Sequence, residues 1–144
     1  MEKYEIVKTL GTGSYGTVYL ASLEDGTKCA IKTMMKGNSK RERCFLREAA
    51  IMTTLQENEY VVRFHELVED TGAMHIVMEY APSGDLLEDV LSSEEGLPEG
   101  ECARIFAQLV RAVQKVHQLK VLHRDVKVRA ARYGIGQQAF LITS

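Results

Sequence analysis

Leu10-Gly11-Thr12-Gly13-Ser14-Tyr15-Gly16-Thr17-Val18 decides how the rest of this 144-residue chain is read. Three glycines at this spacing let a backbone lie close to something bulky and charged. A residue without a Cβ can turn its amides toward an oxyanion at no steric cost, and a polyphosphate is the guest that suits such a loop. Dinucleotide-binding turns use the same three glycines, so the flanks must discriminate. A dinucleotide turn opens a helix at its last glycine, where the helix N-terminus meets the pyrophosphate. Gly16 is followed instead by Thr17-Val18-Tyr19-Leu20, β-branched and aromatic residues that suit a strand. Tyr4 to Leu10 also reads as a strand, so the glycines join two strands as a hairpin flap. Taken alone, such a loop reads better as a glycine-rich hairpin with no ligand.

Composition bounds the answer further. The chain is 45% hydrophobic and 26% charged, with a net charge of −2, which is ordinary for one globular domain. That balance gives no reason to expect nucleic acid or an acidic membrane surface as a partner. No apolar run approaches the roughly 20 residues that span a bilayer, and Met1-Glu2-Lys3-Tyr4-Glu5 does not read as a signal peptide. Cys29, Cys44 and Cys102 are odd in number and show no metal-ligand spacing. The expectation is reduced thiols in a cytoplasmic protein, with no metal site built from them.

Asp25-Gly26 marks a tight turn, after which Lys28 to Met34 returns as a third strand. A helix is predicted from about Arg41 to Gln56, with an apolar stripe of Phe45, Ala49, Met52 and Leu55. Glu48 falls on that stripe. A carboxylate on a packed face is costly unless it meets a cation; the other reading places Glu48 at the stripe's edge, reaching water. Asn58 to Leu67 reads as a fourth strand and Met74 to Tyr80 as a fifth, broken by Pro82-Ser83-Gly84-Asp85. Leu86 to Ser92 reads as a short helix. A longer one runs from Pro98 to about Gln118, with Cys102, Ile105, Phe106, Leu109, Val110, Val113 and Val116 as its core face. Strands followed by segregated helices place the chain in the α+β class.

Taken together, Gly11-x-Gly13-x-x-Gly16-x-Val18, Ala30-Ile31-Lys32, Glu48 and His123-Arg124-Asp125 resemble the ordered motifs of eukaryotic-type protein kinases. The resemblance covers residues 4–127. It implies a five-stranded antiparallel N-lobe with one packed helix over 1–80, a hinge and the start of a helical C-lobe over 81–127, and a divergent tail over 128–144. It implies ATP as the nucleotide. Leu10, Gly11, Thr12, Gly13, Ser14, Tyr15, Gly16, Thr17 and Val18 would cover it, Ala30 would lie beneath the adenine, and Met78 would limit the pocket's depth. Backbone groups near Glu79 and Ala81 would read the adenine edge, and Asp85 the ribose. Lys32, oriented by Glu48, would reach the α- and β-phosphates. Asp125 would accept the proton of a substrate hydroxyl, and Lys127 would neutralise charge on the moving phosphoryl group. A lysine at that position resembles serine/threonine kinases, whose activity is ATP-dependent protein phosphorylation. Phe45-Leu46-Arg47-Glu48, Glu79 to Leu86 and Gly96-Leu97-Pro98-Glu99 resemble the SH3-domain-binding kinase subgroup.

The pattern then departs. Ala130 stands where the family has a magnesium-binding Asn, Val126 replaces a Leu, and Val128-Arg129 replace Pro-Glu. No Asp-Phe-Gly occurs in the chain, so both usual protein ligands for Mg²⁺ are missing. The expectation is a kinase sequence truncated before that motif and very poor at phosphoryl transfer by itself. The alternative is a catalytically dead nucleotide-binding or scaffold module. The residues name no protein substrate, and neither nucleic acid nor membrane is expected as a partner.

Overall fold

The computed structural model describes residues 1–13, 16–59, 61–82, 96–121, 131–133 and 139–141, the last two segments by their backbone. The chain divides into two units, Met1–Thr53 with Arg63–Tyr80, and Thr54–Val62 with Ala81–Ser144.

The first unit holds β1 (Glu5–Gly13), β2 (Gly16–Ser22), β3 (Lys28–Met35), α1 (Ser39–Thr54), β4 (Phe64–Glu69) and β5 (Ala73–Glu79). The strands form one antiparallel sheet in the order β1-β2-β3-β5-β4. Residues 73 to 78 of β5 are all buried, which fits a strand flanked on both sides and covered on both faces. Along β3, successive side chains alternate between faces. Cys29 and Ile31 join Ala21 and Val77 in a buried cluster, covered by Met1, Tyr4, Leu23 and Val68. Ala30, Lys32 and Met34 point to the other face and are buried as well.

Helix α1 starts two residues earlier than its apolar stripe suggests, because Asn38 caps it. The Asn38 side-chain carbonyl accepts the amides of Lys40 and Arg41, both at 3.1 Å. Glu42 reaches back to accept the amides of Gly37 and Asn38, at 2.8 and 3.2 Å. Reciprocal capping of this kind satisfies amides that have no partner within the helix. Phe45, Ala49 and Met52 are buried, as the stripe requires.

Two local features of the sheet differ from the sequence reading. The fourth strand begins at Phe64, not Asn58. The amide of Asn58 bonds to the Leu55 carbonyl and that of Val61 to the Asn58 carbonyl, so the backbone turns there. Burial of Val61 and Val62 imitated a strand. The register of β1 slips between Ile6 and Lys8 and again between Thr9 and Gly11, so Val7 and Leu10 are bulged residues without a cross-strand partner. Composition alone does not announce a bulge.

The second unit contains α2 (Glu99–Gln118) and a small antiparallel hairpin of β6 (Ala131–Tyr133) and β7 (Ala139–Leu141), with β7 running beside α2. Sequence reading left residues 128–144 as a tail; three-residue strands are too short to show a period. Pro98 stands just before the first helical residue with φ −54° and ψ 142°, conformations open to proline. The core face of α2 is narrower than expected. Ile105, Ala112 and Val116 are buried and Leu109 and Val113 partly so, but Phe106 is 68% exposed, Val110 is 39% exposed and Cys102 lies on the surface. Ile105, Leu109, Ala112 and Val116 follow a 4-3-4 spacing; Phe106 stands about 100° round the helix from Ile105. The helix ends in a Schellman-type cap, with Val121 bonded to the Val116 carbonyl and Lys120 to that of His117. Lys120 takes the left-handed conformation there, at φ 61°. The short helix expected over Leu86–Ser92 lies outside the described residues.

Candidate functional site

Lys32 stands on β3, the central strand of the sheet, where its aliphatic stem lies among apolar neighbours. Its register partners are Val18 on β2 and Ile76 on β5. A cation held this deeply needs an anion beside it. Glu48, projecting from α1 between Phe45 and Met52, supplies it. Lys32 Nζ donates to both carboxylate oxygens at 2.7 Å, and each side chain retains only 11% of its exposure. The Phe45 ring adds a second contact, its centroid 5.9 Å from Nζ. The ammonium group is thereby fixed in direction as well as neutralised. The reading that put Glu48 at the edge of its stripe, facing water, does not hold.

The three glycines do different work. Gly16 has φ 126°, and a Cβ there would sit 2.2 Å from the Thr33 carbonyl oxygen, so this position admits only glycine. Gly11 and Gly13 lack that strain, and a Cβ on either would meet nothing within 4 Å. Their missing side chains leave open space along the hairpin, which is what a close-lying ligand requires. Gly13 pairs with Gly16, Thr12 with Thr17 and Gly11 with Val18, so strand pairing continues through the motif up to its tip. Thr12 and Thr17 hydroxyls lie 3.4 Å apart. Leu10 is the one partly buried residue of β1; as a bulge it is turned out of register with its exposed neighbours.

Ala30 and Met78 are direct register partners and both are buried. They share a face with Lys32, two residues from Ala30 along β3. The small residue and the long one thus stand side by side on the sheet. Glu79 ends β5; its amide bonds to the Arg63 carbonyl at 2.9 Å and its carboxylate accepts the Arg63 amide at 3.3 Å. Ala81, buried, belongs to the second unit. Ser14, Tyr15, Asp85, Asp125 and Lys127 lie outside the described residues.

Sequence reading passed over one network beside the site. On the opposite sheet face, Thr33 and its register partner His75 are joined through Oγ1 and Nδ1 at 2.9 Å. His75 Nε2 contacts Asp70 Oδ2 at 3.0 Å. Asp70 also accepts the amides of Gly72 and Ala73, at 3.0 and 2.8 Å. The His75 bond and these two amides hold the Asp70 carboxyl down at about 2. Lys36 ties this turn to β3, pairing with Glu69 at 2.7 Å and donating to the Asp70 carbonyl. Only His75 within a run of apolar residues hinted at it.

Residues 4–129 match the family described as "Protein kinase domain". The chain belongs to the protein kinase family. It is 40% identical over 129 residues to the human NUAK family SNF1-like kinase 2, a match covering 88% of this chain and 20% of that protein. With the mouse serine/threonine-protein kinase SBK1 it shares 36% over 126 residues, 86% of this chain and 30% of that one. With the rice CBL-interacting protein kinase 4 the figures are 37% over 131 residues, 87% and 29%. The chain thus spans less than a third of the length of these relatives. As a kinase sequence it is of the serine/threonine type, and the five-stranded sheet with α1 corresponds to the kinase N-lobe.

Kinases of this family act on ATP, and the residues of the first unit fit a polyphosphate nucleotide: a buried, oriented ammonium beside open space over Gly11 and Gly13. The donor set for a cation does not fit in the same way. Ala130 carries no ligating atom, and among the described residues no group of three or more His, Cys, Asp or Glu side chains could hold a metal ion. Among the described residues, no helix is long and apolar enough to cross a membrane.

Proposed function

We propose that this chain binds ATP through its first unit, as the nucleotide-binding part of a protein serine/threonine kinase. The observation that carries the reading is the Lys32–Glu48 pair, two charges held at 2.7 Å and nearly buried beside a glycine hairpin. A sheet whose purpose is only to pack has no need of a buried ion pair, which apolar residues of the same volume replace without loss of stability. In the bound state ATP supplies the transferable phosphoryl group. Lys32 binds the phosphate oxygens, and Glu48 keeps its ammonium aimed at them. Gly11 and Gly13 leave the backbone amides of the hairpin free to approach. Val18, Ala30 and Met78 form the apolar surface on which the base rests, with Leu10 closing over it and backbone groups near Glu79 and Ala81 reading its edge. Asp85 is assigned to the ribose, Asp125 to the proton of a protein Ser or Thr hydroxyl, and Lys127 to the charge on the moving group. No step is routed through Mg²⁺, to which Ala130 offers no ligand.

Titration with a fluorescent ATP analogue tests the reading. Saturable binding that Lys32→Met weakens by roughly tenfold, a loss of about 1.4 kcal/mol, is the expected result. Binding unaffected by Lys32→Met would overturn it. The 144-residue chain itself is expected to transfer no phosphate to a protein substrate.

A further inference from the structure

We propose that the solvent-facing side of α1 is a docking surface for a carboxylate-rich segment of a partner protein. Successive residues of a helix stand about 100° apart. Phe45, Ala49 and Met52 mark the buried direction of α1. Lys40, Arg43 and Arg47, spaced three and four residues apart, form a single row on the opposite side, and all three are exposed. None of their side chains has a hydrogen bond or ion pair with another described residue. Lys8, Lys28, Arg41, Arg111 and Lys115 are likewise exposed and without an ion pair among the described residues, but none of them belongs to a row of three, and three other surface cations are paired. Lys3 pairs with Glu66 at 2.7 Å, Lys36 with Glu69 at 2.7 Å, and Arg104 approaches Glu101 at 3.6 Å.

The two acids of α1 are committed elsewhere, Glu42 to the amides of Gly37 and Asn38 and Glu48 to Lys32. The row is therefore unfavourable for the isolated helix on two counts. Like charges three and four residues apart repel. Lys40 also places positive charge at the N-terminal end, where the helix dipole favours an anion. A solvated helix face normally intersperses signs. The whole chain carries a net charge of −2, so a basic composition does not account for the row.

The geometry selects a peptide. Three cations spread over roughly 10 Å of helix are few against a duplex that carries a charge about every 1.7 Å. They also fall short of the four to eight basic residues typical of anionic-membrane segments. Arg43 and Arg47 have side chains about 6 Å apart, close to the roughly 6.6 Å between alternate residues of an extended strand. Each guanidinium can take one carboxylate through a two-pronged hydrogen bond. Leu46, 44% exposed beside the row, offers an apolar contact for a neighbouring side chain.

The test uses the 144-residue chain and a fluorescein-labelled peptide of about twelve residues alternating Glu and Ser, read by anisotropy at ~50 and ~150 mM salt. We expect saturable binding that weakens with salt and falls at least about tenfold in Arg43→Glu/Arg47→Glu. That variant exchanges the repulsion between positions 43 and 47 for one of opposite sign and similar size while giving Lys40 an acidic partner three residues on, so it should melt close to the parent. Should it fail to fold, Arg43→Gln/Arg47→Gln takes its place with the same expected loss. Equal binding by parent and variant overturns the proposal. So does tighter binding of a labelled single-stranded oligonucleotide or of phosphatidylserine vesicles than of the peptide. The fluorescent ATP titration is run alongside: nucleotide affinity unchanged in the variant keeps this surface distinct from the nucleotide site.

Discussion

Replacing Lys32 by Met removes the cation from a pair whose members each keep 11% of their side-chain exposure, and leaves the Glu48 carboxylate facing apolar neighbours. Breaking a fully buried pair from one side costs about 3–5 kcal/mol; with some water access retained, about 3 kcal/mol is the working value. That is a large share of the ~5–15 kcal/mol that holds a domain together, and should lower the melting midpoint by roughly 10 °C. Glu48→Gln keeps a hydrogen-bond acceptor and should cost less, about 1.5–3 kcal/mol. If the two side chains act as one unit, the double variant recovers part of the loss, with a coupling energy of about 1–3 kcal/mol. Urea unfolding of the parent, both singles and the double measures that coupling directly. Nucleotide titration on the same four proteins should show the double variant binding no worse than the worse single. Stability losses that add within about 0.5 kcal/mol, together with additive losses of nucleotide affinity, would refute the argument that Glu48 exists to hold Lys32.

Further expectations follow from individual residues. Gly16→Ala places a Cβ 2.2 Å from the Thr33 carbonyl at φ 126° and should cost more than about 2 kcal/mol by chemical unfolding. Gly11→Ala should leave the melting midpoint nearly unchanged while weakening nucleotide binding. Lys120→Gly relieves a left-handed residue at φ 61° and should stabilise the chain by about 0.5–1 kcal/mol. The folded state holds Asp70 at about 2 against an ordinary value of 3.8, so its contribution is present above pH 3.8 and is lost as pH falls toward 2. Asp70→Asn should flatten the acid limb of the stability curve in that window. Burial pushes the Cys29 thiol up, so a thiol reagent should modify exposed Cys44 and Cys102 first and reach Cys29 only on unfolding.

Most of the architecture was legible because its determinants are local. Asp25-Gly26 encodes a tight turn, the β-branched run after Gly16 excludes a helix start, and the spacing of Phe45, Ala49 and Met52 turns one face of α1 inward. The motifs stood in the order of the kinase pattern, so the family was readable from residues alone. Tertiary structure decided what depends on register and on distant partners. Leu10 and Val7 are bulges of the β1–β2 register, which is a property of two paired strands that no single-strand pattern contains. The apparent strand from Asn58 was burial without pairing, since periodicity cannot tell a buried turn from a buried strand. Phe106 lies outside the packed face of α2 because apolar spacing describes a helix and not what lies against it. Glycine spacing suggested three equivalent residues, whereas contact with the Thr33 carbonyl makes only Gly16 obligatory and leaves Gly11 and Gly13 as open space. Glu48 needed a cation by its position on a helix; that the cation is Lys32, sixteen residues away in the chain and gripped by both oxygens, was settled when β3 and α1 packed together, because a buried charge is satisfied in space and not along the sequence.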